Sequence, residues 1–232
     1  MKLADFIHGF DHLFFPRTCQ ACGHVLYKQE KVLCTKCLYH LPKTNFWHHA
    51  DNPVAEIFWG RVELNAAASF LFFNKSGKVQ HLMHNLKYRG KKQIGPFMGE
   101  LIGKELKKSK QYQTVDMVLP VPLHPDKLTK RGYNQSALIA KGIAQSMKIP
   151  VYTDLLIKTK NTESQTKKSR YERWQNVSRV FKLQNPSLIK NKHILLVDDV
   201  ITTGATIEAC AQVLLHEENV TVSVFSLAYA QG

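Results

Sequence analysis

Thirteen residues near the C-terminus constrain this chain more than any other stretch: Ile194-Leu195-Leu196-Val197-Asp198-Asp199-Val200-Ile201-Thr202-Thr203-Gly204-Ala205-Thr206. The aliphatic run Ile194 to Val197 predicts a buried central strand. Two carboxylates follow at its C-terminal end, where open α/β sheets place their ligands. Thr202 to Thr206 then offers backbone N–H groups and three hydroxyls at a helix N-terminus, an arrangement that receives a phosphate. Gly204 lets the backbone approach that phosphate. Two acids beside a phosphate repel it unless the ligand also presents hydroxyls or a metal ion on their side. A sugar phosphate, with a diol next to its phosphate, has that shape. The segment lacks the Gly-Lys-Thr/Ser ending of a P-loop, and GxGxxG is absent, so neither nucleotide fingerprint applies.

The rest of the chain alternates strand and helix patterns, which predicts an α/β fold with a parallel sheet flanked by helices. Ala66 to Phe73 reads as a buried strand. Val79, Leu82, Met83 and Leu86 keep helical spacing, as do Ile94, Phe97, Met98, Leu101, Ile102 and Leu106. Val115 to Val121 reads as a strand with a loop after it, Ser136 to Met147 as a helix, and Val151 to Ile157 as a strand. Tyr171 to Val177 reads as a short helix, His193 to Val197 as a strand, Ala205 to Leu215 as a helix and Val220 to Leu227 as a strand. Phe6, Phe10, Leu13 and Phe14 predict a short amphipathic helix within residues 1–16. The segment from His48 to Leu64 reads as irregular, with Phe58 and Trp59 exposed. With 44% hydrophobic and 22% charged residues, a disordered, collagen-like or simple coiled-coil chain is excluded.

Four of the five cysteines come early, as two CxxC pairs: Cys19, Cys22 and Cys34, Cys37. Each pair places two thiolates at a tight knuckle, and two knuckles supply four soft ligands for a closed tetrahedral Zn2+ site. Gly23 follows the first knuckle, where a positive φ is often needed. Two disulfides are the alternative, but they need an oxidising compartment, and no export signal or membrane-length apolar run of about 18 residues is seen. We therefore expect a cytoplasmic protein without membrane insertion. Cys210 falls in a helix pattern with Ile207, Leu214 and Leu215 and reads as core. The expected organisation is a helix and zinc module over 1–45, a connecting segment over 46–64 and an α/β domain over 65–232.

The formal charge of +14 is unevenly spread. Lys75 to Lys192 holds 25 basic and 7 acidic residues, so the middle of the chain carries the positive field. Its densest piece is Lys87-Tyr88-Arg89-Gly90-Lys91-Lys92. A second cluster is Lys104, Lys107, Lys108 and Lys110, and a third runs from Lys158 to Arg173. Such a field predicts contact with polyanions, nucleic acid or phosphorylated metabolites. Tyr88, Tyr112, Tyr133, Tyr171 and Trp174, interleaved with cations, suit stacking on single-stranded DNA.

The segment from Ile194 to Thr206 resembles the phosphoribosyl-pyrophosphate (PRPP) signature of type I phosphoribosyltransferases. Combined with the four-cysteine module, nearly the full length resembles the ComF family, in particular its ComFC-type competence proteins. Further matches are Leu119-Pro120-Val121-Pro122-Leu123-His124, Lys130-Arg131-Gly132-Tyr133-Asn134-Gln135, then Thr162, Gln165, Thr166, Arg173, Asn176, Val177 and Phe181. The resemblance implies a role in natural transformation and DNA uptake, with PRPP bound by the C-terminal domain. It implies that Asp198 and Asp199 hold the ribose hydroxyls, that Thr202, Thr203, Gly204, Ala205 and Thr206 wrap the 5′-phosphate, and that Lys130 and Arg131 face pyrophosphate. Mg2+ would accompany PRPP. Lys167, Lys168, Arg170 and Arg173 lie where these enzymes carry a mobile catalytic loop. Transfer of the phosphoribosyl group to an acceptor is one expectation. The other is a non-catalytic protein that senses PRPP or a nucleotide and binds single-stranded DNA beside other competence proteins.

Overall fold

A computed structural model describes residues 16–74, 77–159 and 180–230. The helices expected over 1–16 (save Pro16) and 171–177 lie outside them, as do Lys75, Lys160, Thr162, Gln165, Thr166, Lys167, Lys168, Arg170, Arg173 and the aromatics Tyr171 and Trp174. The strands are β1 (Ala66–Phe72), β2 (Met117–Pro120), β3 (Leu156–Lys158), β4 (Phe181–Leu183), β5 (His193–Ile201) and β6 (Thr221–Tyr229). The helices are α1 (Thr35–Tyr39), α2 (Pro53–Glu56), α3 (Lys78–Tyr88), α4 (Ile94–Leu106), α5 (Pro125–Arg131), α6 (Gln135–Met147) and α7 (Ala205–Leu215). Among the described residues, no helix is long and apolar enough to cross a membrane.

The main sheet is parallel throughout, in the order β1-β6-β5-β2. Both faces are covered, which is why its strands read as unbroken apolar runs. Leu195 and Val197 share one cluster with Met98, Ile102, Ile139 and Ile143 of α4 and α6. Ile194, Leu196 and Val224 share another with Ile207, Cys210, Ala211 and Leu214 of α7. From β5 the chain passes through α7 to β6 on one side. From β2 it passes through α5 and α6 to Val151, whose parallel bridge to Val118 extends the sheet on the other side. The two neighbours thus lead away in opposite directions, and a crevice opens at their carboxyl ends.

Glycines decide how α4 and α6 meet. A Cβ on Gly99 would lie 2.2 Å from the Ile139 carbonyl oxygen, and one on Gly142 would lie 2.2 Å from that of Pro96. The two helix backbones therefore touch, and this contact fixes the position of α6 against α4.

The N-terminal cysteines do not stand apart from this core. Cys19, Ala21, Leu26, Val32, Leu33 and Cys37 join the cluster that holds Leu82, Met83 and Leu86 of α3. The Asn85 side-chain amide donates to the Gln20 carbonyl at 3.0 Å. Lys43 bridges Leu71 of β1 in antiparallel fashion.

Four sequence readings need correction. The strand expected over Val151–Ile157 is broken by the polar turn at Thr153 and Asp154: Val151 makes a lone bridge, and Leu156–Lys158 turns to pair antiparallel with β4. The strand through Val197 continues to Ile201, with Asp198 opposite Ser226 and Val200 opposite Ala228 on β6. The loop expected after Val121 contains α5. There His124 Nδ1 accepts from the Asp126 N–H (3.2 Å), Pro125 takes the first helical position, and Gly132 at φ 74° closes the helix. Phe58, expected to be exposed, is buried beside Val54, while Trp59 is exposed.

Candidate functional site

The acid pair sits on β5 at the mouth of the β2–β5 crevice, since Pro120 at the end of β2 is in register with Val197. The Ser136 hydroxyl, in the first turn of α6, donates to Asp198 Oδ1 at 2.9 Å. The Asp199 backbone N–H donates to the same oxygen at 2.8 Å. Asn134 holds α6 in place: its Oδ1 accepts from the Ser136 N–H (3.0 Å), while its Nδ2 donates to the Val121 carbonyl (2.9 Å). One asparagine thereby caps a helix and ties it to the segment leaving β2.

Burial and the neighbouring Asp199 charge push the Asp198 carboxyl up to about 7, against the opposing pull of the Asp199 N–H, Ser136 and Lys87. Asp199 is buried, and its Oδ1 lies 2.9 Å from the Lys87 ammonium. The sequence reading gave Lys87 to the outward basic surface. In the structure it is an internal counter-ion, delivered by the last turn of α3. Sequence periodicity could not supply this partner, because 87 and 199 meet only through the fold. Ser136 was likewise read only as a helix residue.

Tyr88 and Lys92 of the densest basic stretch pack against the segment 130–135. Arg131 lies over the Tyr88 ring at 5.4 Å and donates through Nη1 to Gln135 Oε1 at 3.0 Å. Lys92 lies over the Tyr133 ring at 5.1 Å. The Tyr133 hydroxyl donates to the Leu86 carbonyl. Lys130 is exposed on the last turn of α5. Arg131 thus lies against the end of α3, the helix that delivers Lys87 to Asp199. Of the aromatics proposed for base stacking, Tyr112 and Tyr133 are core residues, and Tyr88 is exposed.

Thr202, Thr203, Ala205 and Thr206 are exposed in the turn that opens α7, and Gly204 is buried. Gly204 adopts φ 73° and caps the helix without a side chain. A Cβ there would meet Ile57 Cγ2 at 2.7 Å and Phe58 Cε1 at 2.8 Å. Glycine is required by both conformation and space, a tighter demand than ligand approach alone.

The four cysteines converge, with all Sγ atoms within 4.8 Å of one another and no disulfide among them. Cys22 and Cys34 Sγ are 3.7 Å apart, close to the ~3.8 Å edge of a tetrahedron built on Zn–S bonds. Backbone N–H groups of Cys34 and Cys37 donate to Cys19 and Cys34 Sγ at 3.3 and 3.4 Å. This donor set fits Zn2+. Glu30, which sequence reading passed over, ties the loop between the knuckles to the start of the second one. Its carboxylate accepts from the Tyr27 N–H at 2.9 Å and from the Thr35 N–H and hydroxyl, and those backbone bonds hold its pKa down.

Residues 134–230 match the model of the phosphoribosyl transferase domain. The chain is 27% identical over 217 residues to DNA utilization protein YhgH of Shigella flexneri, covering 90% of this chain and 88% of that protein. It is 24% identical to Competence protein F of Haemophilus influenzae, over 94% of this chain and 99% of that protein. Over 160 residues it is 31% identical to Competence protein ComFC of Streptococcus pneumoniae, covering 67% and 65%.

Proposed function

We propose that this chain is a ComF-type protein carrying a phosphoribosyl transferase domain, and that it binds PRPP in the β2–β5 crevice in support of DNA uptake. The observation that supports this reading is the acid pair at the crevice mouth, with the Lys87 ammonium on Asp199 and an exposed threonine turn directly after β5. The acid pair and the threonine turn match the diol and the 5′-phosphate of one ligand. In this reading Asp198 and Asp199 accept from the ribose hydroxyls, and the N–H groups of Thr202–Thr206 receive the 5′-phosphate. Arg131, Lys130 and Lys92 face the leaving pyrophosphate, whose developing charge they offset.

Lys87 lies against Asp199, while Asp198 is pushed up to about 7 by burial and by its acidic neighbour. The carboxylates are hard oxygen ligands of the type Mg2+ prefers. When bound with PRPP, Mg2+ would neutralise the departing pyrophosphate. The cysteine cluster in turn would hold Zn2+ as a structural centre that stiffens the N-terminal residues against α3. Transfer to an acceptor and binding without turnover both use this geometry, so the test separates them.

Titration with PRPP and Mg2+ is expected to give saturable binding and a raised melting temperature. Asp198→Asn with Asp199→Asn is expected to weaken it at least tenfold. Release of pyrophosphate in the same mixture marks turnover, and binding without release marks a sensor. Unchanged PRPP affinity in the double variant would overturn the assignment.

A further inference from the structure

The turn that faces the phosphate is gripped from behind by a segment remote in sequence. The residues just after α2 run beneath it. Arg61 Nη1 donates to the Thr203 carbonyl at 2.8 Å and to the Ile57 carbonyl at 2.9 Å. Its Nε donates to Glu208 Oε2 at 3.0 Å, and Nη2 pairs with the same oxygen. One guanidinium therefore joins three places: its own turn, the phosphate turn and the first helical turns of α7. Ile57 and Phe58 close the remaining gap against Gly204. Bonding the Thr203 carbonyl from behind fixes the plane of the peptide that carries the Gly204 N–H. The aim of that donor toward an anion depends on this fixation. The Arg61–Glu208 pair is partly open to solvent, so it contributes little to folding, and its value lies in orientation.

We infer that Arg61 is a positioning residue for the phosphate turn, and that residues 57–61 belong to the ligand site. This rests on the sugar-phosphate reading above. The measurement uses the full chain and two probes, ribose 5-phosphate and inorganic pyrophosphate, titrated calorimetrically beside thermal melts. Arg61→Ala is expected to weaken ribose 5-phosphate binding about tenfold, leaving pyrophosphate affinity and melting temperature near the parent values. Glu208→Gln is expected to weaken it less, since the guanidinium keeps its Thr203 and Ile57 acceptors. Arg61→Lys, which can reach one acceptor, is expected to recover part of the loss. Equal ribose 5-phosphate affinity in parent and Arg61→Ala overturns the inference. So does a joint fall in both affinities and the melting temperature, which marks a merely structural role. A parent chain that binds neither probe removes the sugar-phosphate reading itself, and this proposal with it.

Discussion

The cysteine cluster and the acid-pair crevice solve the same problem, holding like charges close together, by opposite routes. The cysteines lie between 19 and 37, and local turns bring their sulfurs together. The crevice draws Lys87 from α3, Ser136 from α6, the acids from β5 and the threonine turn from the start of α7. The first can form wherever two knuckles meet a metal. The second exists only once the sheet and its covering helices are in place. On the zinc reading, the short-range motif would depend on its ion, while the long-range one depends on the core.

If the cysteines hold Zn2+ as proposed, the contrast breaks most visibly by removing it. Chelation, or Cys34→Ser, is expected to lower the melting temperature on the order of 10 °C or more, because the knuckles share a cluster with α3. Elemental analysis beside the melts checks it, with about one Zn2+ per chain in the untreated protein. No change on complete metal loss would show that the knuckles hold themselves.

Next in size is Gly99→Val, which drives side-chain atoms into the Ile139 carbonyl and should cost about 3 kcal/mol in urea unfolding. Zinc content should stay unchanged, since the lesion lies in the long-range assembly. Lys87→Met should cost about 2 kcal/mol by leaving the Asp199 carboxylate without its ammonium. Adding Asp199→Asn should return much of that loss, and a double-mutant cycle reads the coupling.

The smallest effect sharpens the comparison by pH. The Asp198 carboxyl titrates near 7 in the fold, above its ordinary 3.8. Its contribution to stability is therefore fully present below the unfolded value and is lost as pH rises through about 7. Asp198→Asn should raise the melting temperature by about 2–4 °C at pH 8 and leave it nearly unchanged at pH 4. An equal shift at both pH values would rule out titration as its origin.

How far the sequence revealed each site follows from the same distinction. The CxxC spacing alone brings the thiols into one neighbourhood. The run from Ile194 to Thr206 likewise announced a strand, two acids and a turn, because these are consecutive. Lys87 was misplaced since charge clustering marks where cations are dense, not which one turns inward. Phe58 was misread as exposed and Arg61 went unread, because a short irregular segment has no periodicity to show which side chain is covered. The helix α5 was missed because Pro125 and His124, read as a loop, are a first-turn proline and its cap.

The glycine contact between α4 and α6 carries a lesson about tolerance to change. Helices separated by side chains can absorb a swap by rotamer adjustment, but two backbones in contact have nothing left to yield. Pushing α6 away by the thickness of a methyl group would carry the Ser136 hydroxyl beyond bonding reach of Asp198. Residues with no chemistry of their own therefore face selection as stringent as the acids, and variation in this protein should be scarce along a seam that no ligand ever touches.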